Sequence, residues 1–148
     1  MLMGMLASTA LVLATVGIHY EALRLVSALL PHLRIRPRAR IIVIIIGAFA
    51  AHTVEVWLYA LGFLLLDRFA GLGYLTGDTV SEFSTYLYHS TVTYSSLGYG
   101  DLVPHGALRL VSGVEALNGL VMIGWTASFT YLAMEKLWDL HPRRSHKR

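Results

Sequence analysis

The chain contains no cysteine in its 148 residues, which excludes a disulfide framework and any thiolate metal site. Charge is scarce too: 14% of the residues are charged against 55% hydrophobic, and the mean hydropathy is +0.58. A soluble domain of this size could not hide so much apolar surface in one core, so the composition calls for a bilayer as solvent. Residues 1–18 carry no charged side chain, so the basic start of a secretory signal is missing, and no small-residue cleavage site follows. Internal repeats are absent as well. The net charge of +3 and pI near 9.4 would suit a nucleic-acid partner. The basic residues sit beside apolar runs rather than along a polar face, however, which excludes nucleic acid and points to membrane topology.

What is present is three long apolar runs, which predict an all-α membrane protein with three transmembrane helices. Residues 1–31 form the first, comfortably above the roughly 20 residues that a bilayer core requires. Residues 32–40 carry Arg34, Arg36, Arg38 and Arg40 and contain Pro37, with Pro31 just before them, and so read as a basic cytoplasmic loop. Arginines two apart do not line one helical face; they anchor the loop and can touch anionic lipid of the bilayer. Residues 41–66 form the second spanning helix, and residues 67–78 follow on the opposite side, broken by Gly71, Gly73 and Gly77. Residues 79–94 read as a short helix, too polar to span, in which Thr79 and Glu82 are spaced as a capping box. Residues 107–138 are the last spanning helix and residues 139–148 a basic cytoplasmic tail. Nine of the twelve Lys and Arg residues then lie on the cytoplasmic side, which places the N-terminus outside and the C-terminus inside the cell membrane.

Between the short helix and the last span runs Thr93-Tyr94-Ser95-Ser96-Leu97-Gly98-Tyr99-Gly100-Asp101. This stretch resembles the selectivity filter of potassium channels, and the likeness extends over residues 81–137. The resemblance implies a re-entrant pore helix at 79–94, a filter at 95–101 and a homotetramer, since each chain supplies one filter strand. Backbone carbonyls of Ser96, Leu97, Gly98, Tyr99 and Gly100 would coordinate K+, the permeant ion, with no cofactor. Gly98 and Gly100 suit the positive φ angles that such carbonyls need. Ser96 stands where the family has threonine and Leu97 where it has valine or isoleucine, which keeps open a weakly selective monovalent cation channel. Support for the filter is expected from Ser95, from Asp101 at the outer mouth, and from His89. The histidine either meets the Tyr99 hydroxyl or fills a cuff of Phe83, Tyr86 and Tyr88. Asp67, Asp78 and Glu82 either add negative potential at the mouth or are solvated loop acids. Gly119 is either the inner-helix hinge or a site of close packing, with Leu120, Ile123 and Ala127 near the cavity and gate.

Glu115 and Asn118 lie inside the last span, where an unpaired carboxylate costs several kcal/mol. Glu115 either braces the pore helix or faces the cavity. His52 and Glu55, three residues apart on one helical face, offer hydrogen bonds between helices, two ligands of a metal site short of partners, or a proton sensor. Glu21 and Arg24 pose the same question on the first span. Catalysis is the poorest fit. Gly98-Tyr99-Gly100-Asp101 also satisfies an intramembrane aspartyl protease motif, but the second aspartate within a span is missing. A non-conducting assembly subunit would account for the spans but not for the order of short helix, filter and glycine.

Overall fold

The structure, a computed structural model, describes residues 2–77 and 82–138, the side chains of residues 37, 38, 137 and 138 excepted. Four α-helices make the fold: α1 (Leu2–Leu29), α2 (Pro37–Leu64), α3 (Phe83–Tyr94) and α4 (Leu108–Trp138). A 28-residue helix is about 42 Å long, more than the roughly 30 Å of a hydrocarbon core. Three segments are long and apolar enough to cross it, Leu2–His32, Ala39–Phe69 and Leu108–Lys136. The protein is an all-α membrane protein, and α3 is the short helix that does not span.

Two helix starts differ from the sequence reading. The basic loop is shorter than 32–40, because α2 begins at Pro37, with Arg36 as its N-cap. Proline at the first helical position loses no hydrogen bond and arrives with its φ already set, so Pro37 starts the helix instead of breaking the chain. Helix α3 begins at Phe83, not Thr79, and Glu82 is its N-cap, without a side-chain capping bond. Glu82 is therefore not the third residue of a capping box, and Thr79 lies outside the described residues.

Helix α1 packs against both α2 and α4, and α3 wedges between α2 and α4. The buried residues of α1 are Gly4, Ser8, Thr15, His19 and Leu23, a stripe at spacings of four and seven. The apolar core centres on Tyr59, Ala60 and Phe63 of α2, Tyr86 and Tyr94 of α3, and Leu108, Val111 and Met122 of α4. Outside the helices, strands β1 (Leu75–Thr76) and β2 (Val103–Pro104) pair antiparallel and tie the loop after α2 to the segment before α4. The His105 N–H donates to the Tyr74 carbonyl at 2.8 Å, and their rings stack at 4.7 Å. Gly73 permits this approach: a Cβ there would stand 2.3 Å from the His105 carbonyl oxygen.

Candidate ion-conduction site

Helix α3 ends at Tyr94, and the chain turns back on its C-terminus. The N–H groups of Ser95 and Ser96 donate to the carbonyls of Thr91 and Thr93, and those of Leu97 and Gly98 both donate to the Val92 carbonyl at 2.9 and 3.0 Å. The Ser95 hydroxyl adds a bond to the Thr91 carbonyl at 2.8 Å. Four consecutive N–H groups are thus spent on the helix end. No backbone carbonyl from Ser96 to Gly100 accepts a hydrogen bond among the described residues. These are the groups that backbone chemistry otherwise leaves paired.

The dihedral angles explain how the carbonyls are freed. Ser96, Gly98 and Gly100 have φ of 57°, 51° and 80°, while Leu97 and Tyr99 between them do not have positive φ. Alternating left-handed residues with ordinary ones prevents the strand-like flip of successive peptides and turns successive carbonyls toward one side. Positive φ was expected at the two glycines. Its extension to Ser96, where an L side chain incurs roughly 1–2 kcal/mol, was not. The whole stretch from Ser95 to Asp101 is exposed in the single chain, with Leu97 57% and Tyr99 66% accessible.

Asp101 follows this stretch and is held by α3, accepting a 2.8 Å bond from the Tyr88 hydroxyl. That bond, ahead of burial and of the Asp101 charge, raises the Tyr88 pKa above its usual value. Sequence reasoning counted Tyr88 only as part of an aromatic cuff; its spacing of 13 residues from Asp101 carries no signal of its own. His89 does not reach Tyr99. It is buried against Phe63 with its Nε2 2.9 Å from the Ser112 hydroxyl of α4, and burial holds its pKa down to about 4. The side of α3 that carries His89 faces Phe63 of α2 and Ser112 of α4. Asp67 accepts a 2.7 Å bond from Tyr86, so it is a fastening of α3 rather than a free loop acid; Asp78 lies outside the described residues.

Behind α3 the spans meet through polar side chains. Ser90 Oγ lies 2.6 Å from Glu115 Oε1 and 2.8 Å from the Val56 carbonyl. A hydroxyl has one proton for two acceptors, so both contacts are hydrogen bonds when the Glu115 carboxyl supplies the second. Glu115 thus sits on the pore helix, fully buried, and not in the cavity. Asn118 donates to Thr15 of α1 at 2.9 Å. Gly119 lies against the end of α3: a Cβ there would fall 2.0 Å from the Tyr94 carbonyl oxygen. Close packing explains this glycine, whereas Ile123 and Ala127 lie exposed further along α4.

His52 and Glu55 share a face as their spacing requires, and both meet Tyr94. The third partner, His19, comes from α1, its Nδ1 2.9 Å from Glu55 Oε1. Thr15 and His19, polar residues four apart on one face of an apolar run, were the signal that could have found this contact. Glu21 and Arg24 instead form an exposed pair with each other at 2.6 Å.

Comparison with known proteins agrees with this geometry. A family model described as ion channel matches residues 39–136, which takes in α2, α3, the filter strand and nearly all of α4. No curated protein and no solved structure matches the chain. With that match covering well over half of its length, on the pore module and its open carbonyls, the chain belongs to the ion channel family.

Proposed function

We infer that the protein is a potassium-selective channel in which four copies surround one ion path and conduct passively. The observation that carries this reading is the row of unengaged carbonyls from Ser96 to Gly100, freed by alternating positive φ. Carbonyl oxygens of Ser96, Leu97, Gly98 and Tyr99 replace the water shell of K+. One strand supplies carbonyls on one side of an ion only, so the coordination shell closes through a homotetramer. The C-terminal end of α3 points its partial negative charge at the entering cation, and Asp101 marks the outer mouth. Gly119 lets α4 pack against the filter end, and Ile123 and Ala127 line the inner gate. The basic residues set the N-terminus outside and the C-terminus in the cytoplasm, and the charge of the segment holding Arg34, Arg36, Arg38 and Arg40 suits anionic lipid.

Purified protein in K+-loaded vesicles should discharge K+ once a protonophore carries the balancing charge. Absence of flux from folded protein would favour a non-conducting assembly subunit. Equal discharge of Na+-loaded vesicles would favour the weakly selective channel that Ser96 and Leu97 leave as the second reading.

A further inference from the structure

Five side chains from all four helices close a ring of contacts around the end of the pore helix. His19 Nδ1 meets Glu55 Oε1 at 2.9 Å, and the other oxygen, Glu55 Oε2, accepts from the Tyr94 hydroxyl. Tyr94 meets His52 Nδ1 at 2.9 Å, and His52 Nε2 meets Thr126 Oγ1 at 2.9 Å. Thr126 Oγ1 returns to His19 Nε2 at 3.2 Å. The ring has five members and five contacts, and each contact needs one hydrogen. Neutral His19 and His52, Thr126 and Tyr94 bring one each, and an ionised Glu55 brings none. The count is four, one short.

We propose that this ring is a binding site for a single proton, whose occupancy fixes the end of the pore helix and thereby the filter. With the fifth hydrogen every member is satisfied in one circuit. His19 donates to Glu55, Tyr94 to Glu55, His52 to both Tyr94 and Thr126, and Thr126 to His19. Reversing the Thr126 hydroxyl moves the charge to His19, and a protonated Glu55 closes the circuit as well, so the proton is shared. The protonated ring is neutral overall, whereas the unprotonated ring leaves a net negative charge in a site where His19 and Glu55 are wholly buried. The other ionisable groups that act on Tyr94 are Tyr59 of α2 and Glu115 of α4, and neither belongs to the circuit. The indole of Trp125 closes the α4 side, 5.2 Å from the His19 ring. His52 opens outward, with 18% of its side chain exposed, onto a cavity of about 390 Å³ that also borders Tyr94 and Ser95.

His19, His52 and Glu55 also bring ligand atoms within 4.8 Å of one another, close enough to consider a divalent metal. A metal requires lone pairs aimed at one centre about 2.0–2.1 Å away. Here all four ring nitrogens already face a partner in the circuit, so the arrangement favours a proton. Tyr94 is the residue before Ser95 and Ser96, and its carbonyl is the contact of Gly119. Loss of the proton therefore breaks one contact of the circuit that holds Tyr94, where the pore helix hands over to the filter. That link to ion flow rests on the potassium-channel reading; the proton itself does not.

The test uses the full chain in bilayers, with histidine nitrogens and glutamate carboxyls isotopically labelled for solid-state magnetic resonance. At about pH 6 the wild type should hold one proton beyond two neutral imidazoles and an ionised Glu55. Glu55→Gln should abolish it, because the amide supplies the missing hydrogen without charge. Two neutral imidazoles beside an ionised Glu55 would overturn the proposal, as would a signal that a chelator removes. In current recordings the wild type should lose sustained current as pH rises, with a single-proton slope, and Glu55→Gln should stay at the acid level throughout. A Glu55→Gln channel that keeps the wild-type pH response would overturn the coupling to the filter. Absence of current in both, with the magnetic-resonance result intact, would count against the channel reading alone.

Discussion

The two sides of Tyr94 are built on opposite rules. In front of it, from Ser95 to Gly100, side chains do little: the backbone N–H groups turn inward and the carbonyls are left bare. Behind it, side chains do nearly all the work, with Glu55, His52, His19 and Thr126 joined around its hydroxyl and Glu115 fastened to Ser90 one turn earlier. The front presents acceptors with no donors. The back matches donors to acceptors until only one proton is wanting. A strand of unsatisfied carbonyls is costly to hold, and the hydrogen-bonded network behind it is what keeps the helix end in place.

The sharpest way to break the front is Gly98→Ala. Nothing lies within 4 Å of a Cβ at this position, so the effect comes from the backbone, where φ of 51° costs an L residue about 1–2 kcal/mol. We expect complete loss of K+ flux with helix content unchanged by circular dichroism; retained flux would show that the alternation does not matter. Breaking the junction comes next. Gly119→Ala drives a methyl into the Tyr94 carbonyl and should cost about 1–3 kcal/mol per chain, read as a lower unfolding temperature in detergent.

Acid should attack the back through His89. Its burial lowers the pKa to about 4, so the fold favours the neutral ring. Its contribution is complete above the unfolded value near 6.5 and is lost as pH falls toward 4. The loss is at most about 3 kcal/mol per chain, and a His89→Gln variant should unfold without this acid limb. The smallest change is Tyr88→Phe, which removes one bond to Asp101, worth about 1 kcal/mol. It should speed the decay of current during a long opening while leaving assembly unchanged.

The same contrast explains what the sequence could tell. The front was legible because its demands fall on single positions: only glycine takes positive φ freely, and Gly98 and Gly100 stand where the resemblance requires them. The spans were legible because hydropathy is additive along a helix. Glu115 was traceable to the pore helix because a carboxylate inside a span must find a partner. Across helices the signal fades. Spacing puts His52 and Glu55 on one face, but what lies opposite depends on how α1 is rotated and tilted, so His19 was legible only as a polar residue in an apolar run and Thr126 was invisible. For His89 the motif position left open the Tyr99 hydroxyl or an aromatic cuff, whereas the roll of α3 turns it to Ser112. Helix starts failed for a local reason: Pro37 and Glu82 fit both a loop and a helix beginning, and packing chose between them.

The central claim is that the bare carbonyls select potassium. Its most direct measurement is the reversal potential of the reconstituted protein with K+ on one side of the bilayer and Na+ on the other. A value close to the potassium equilibrium potential is the predicted result, and a value near zero would contradict it.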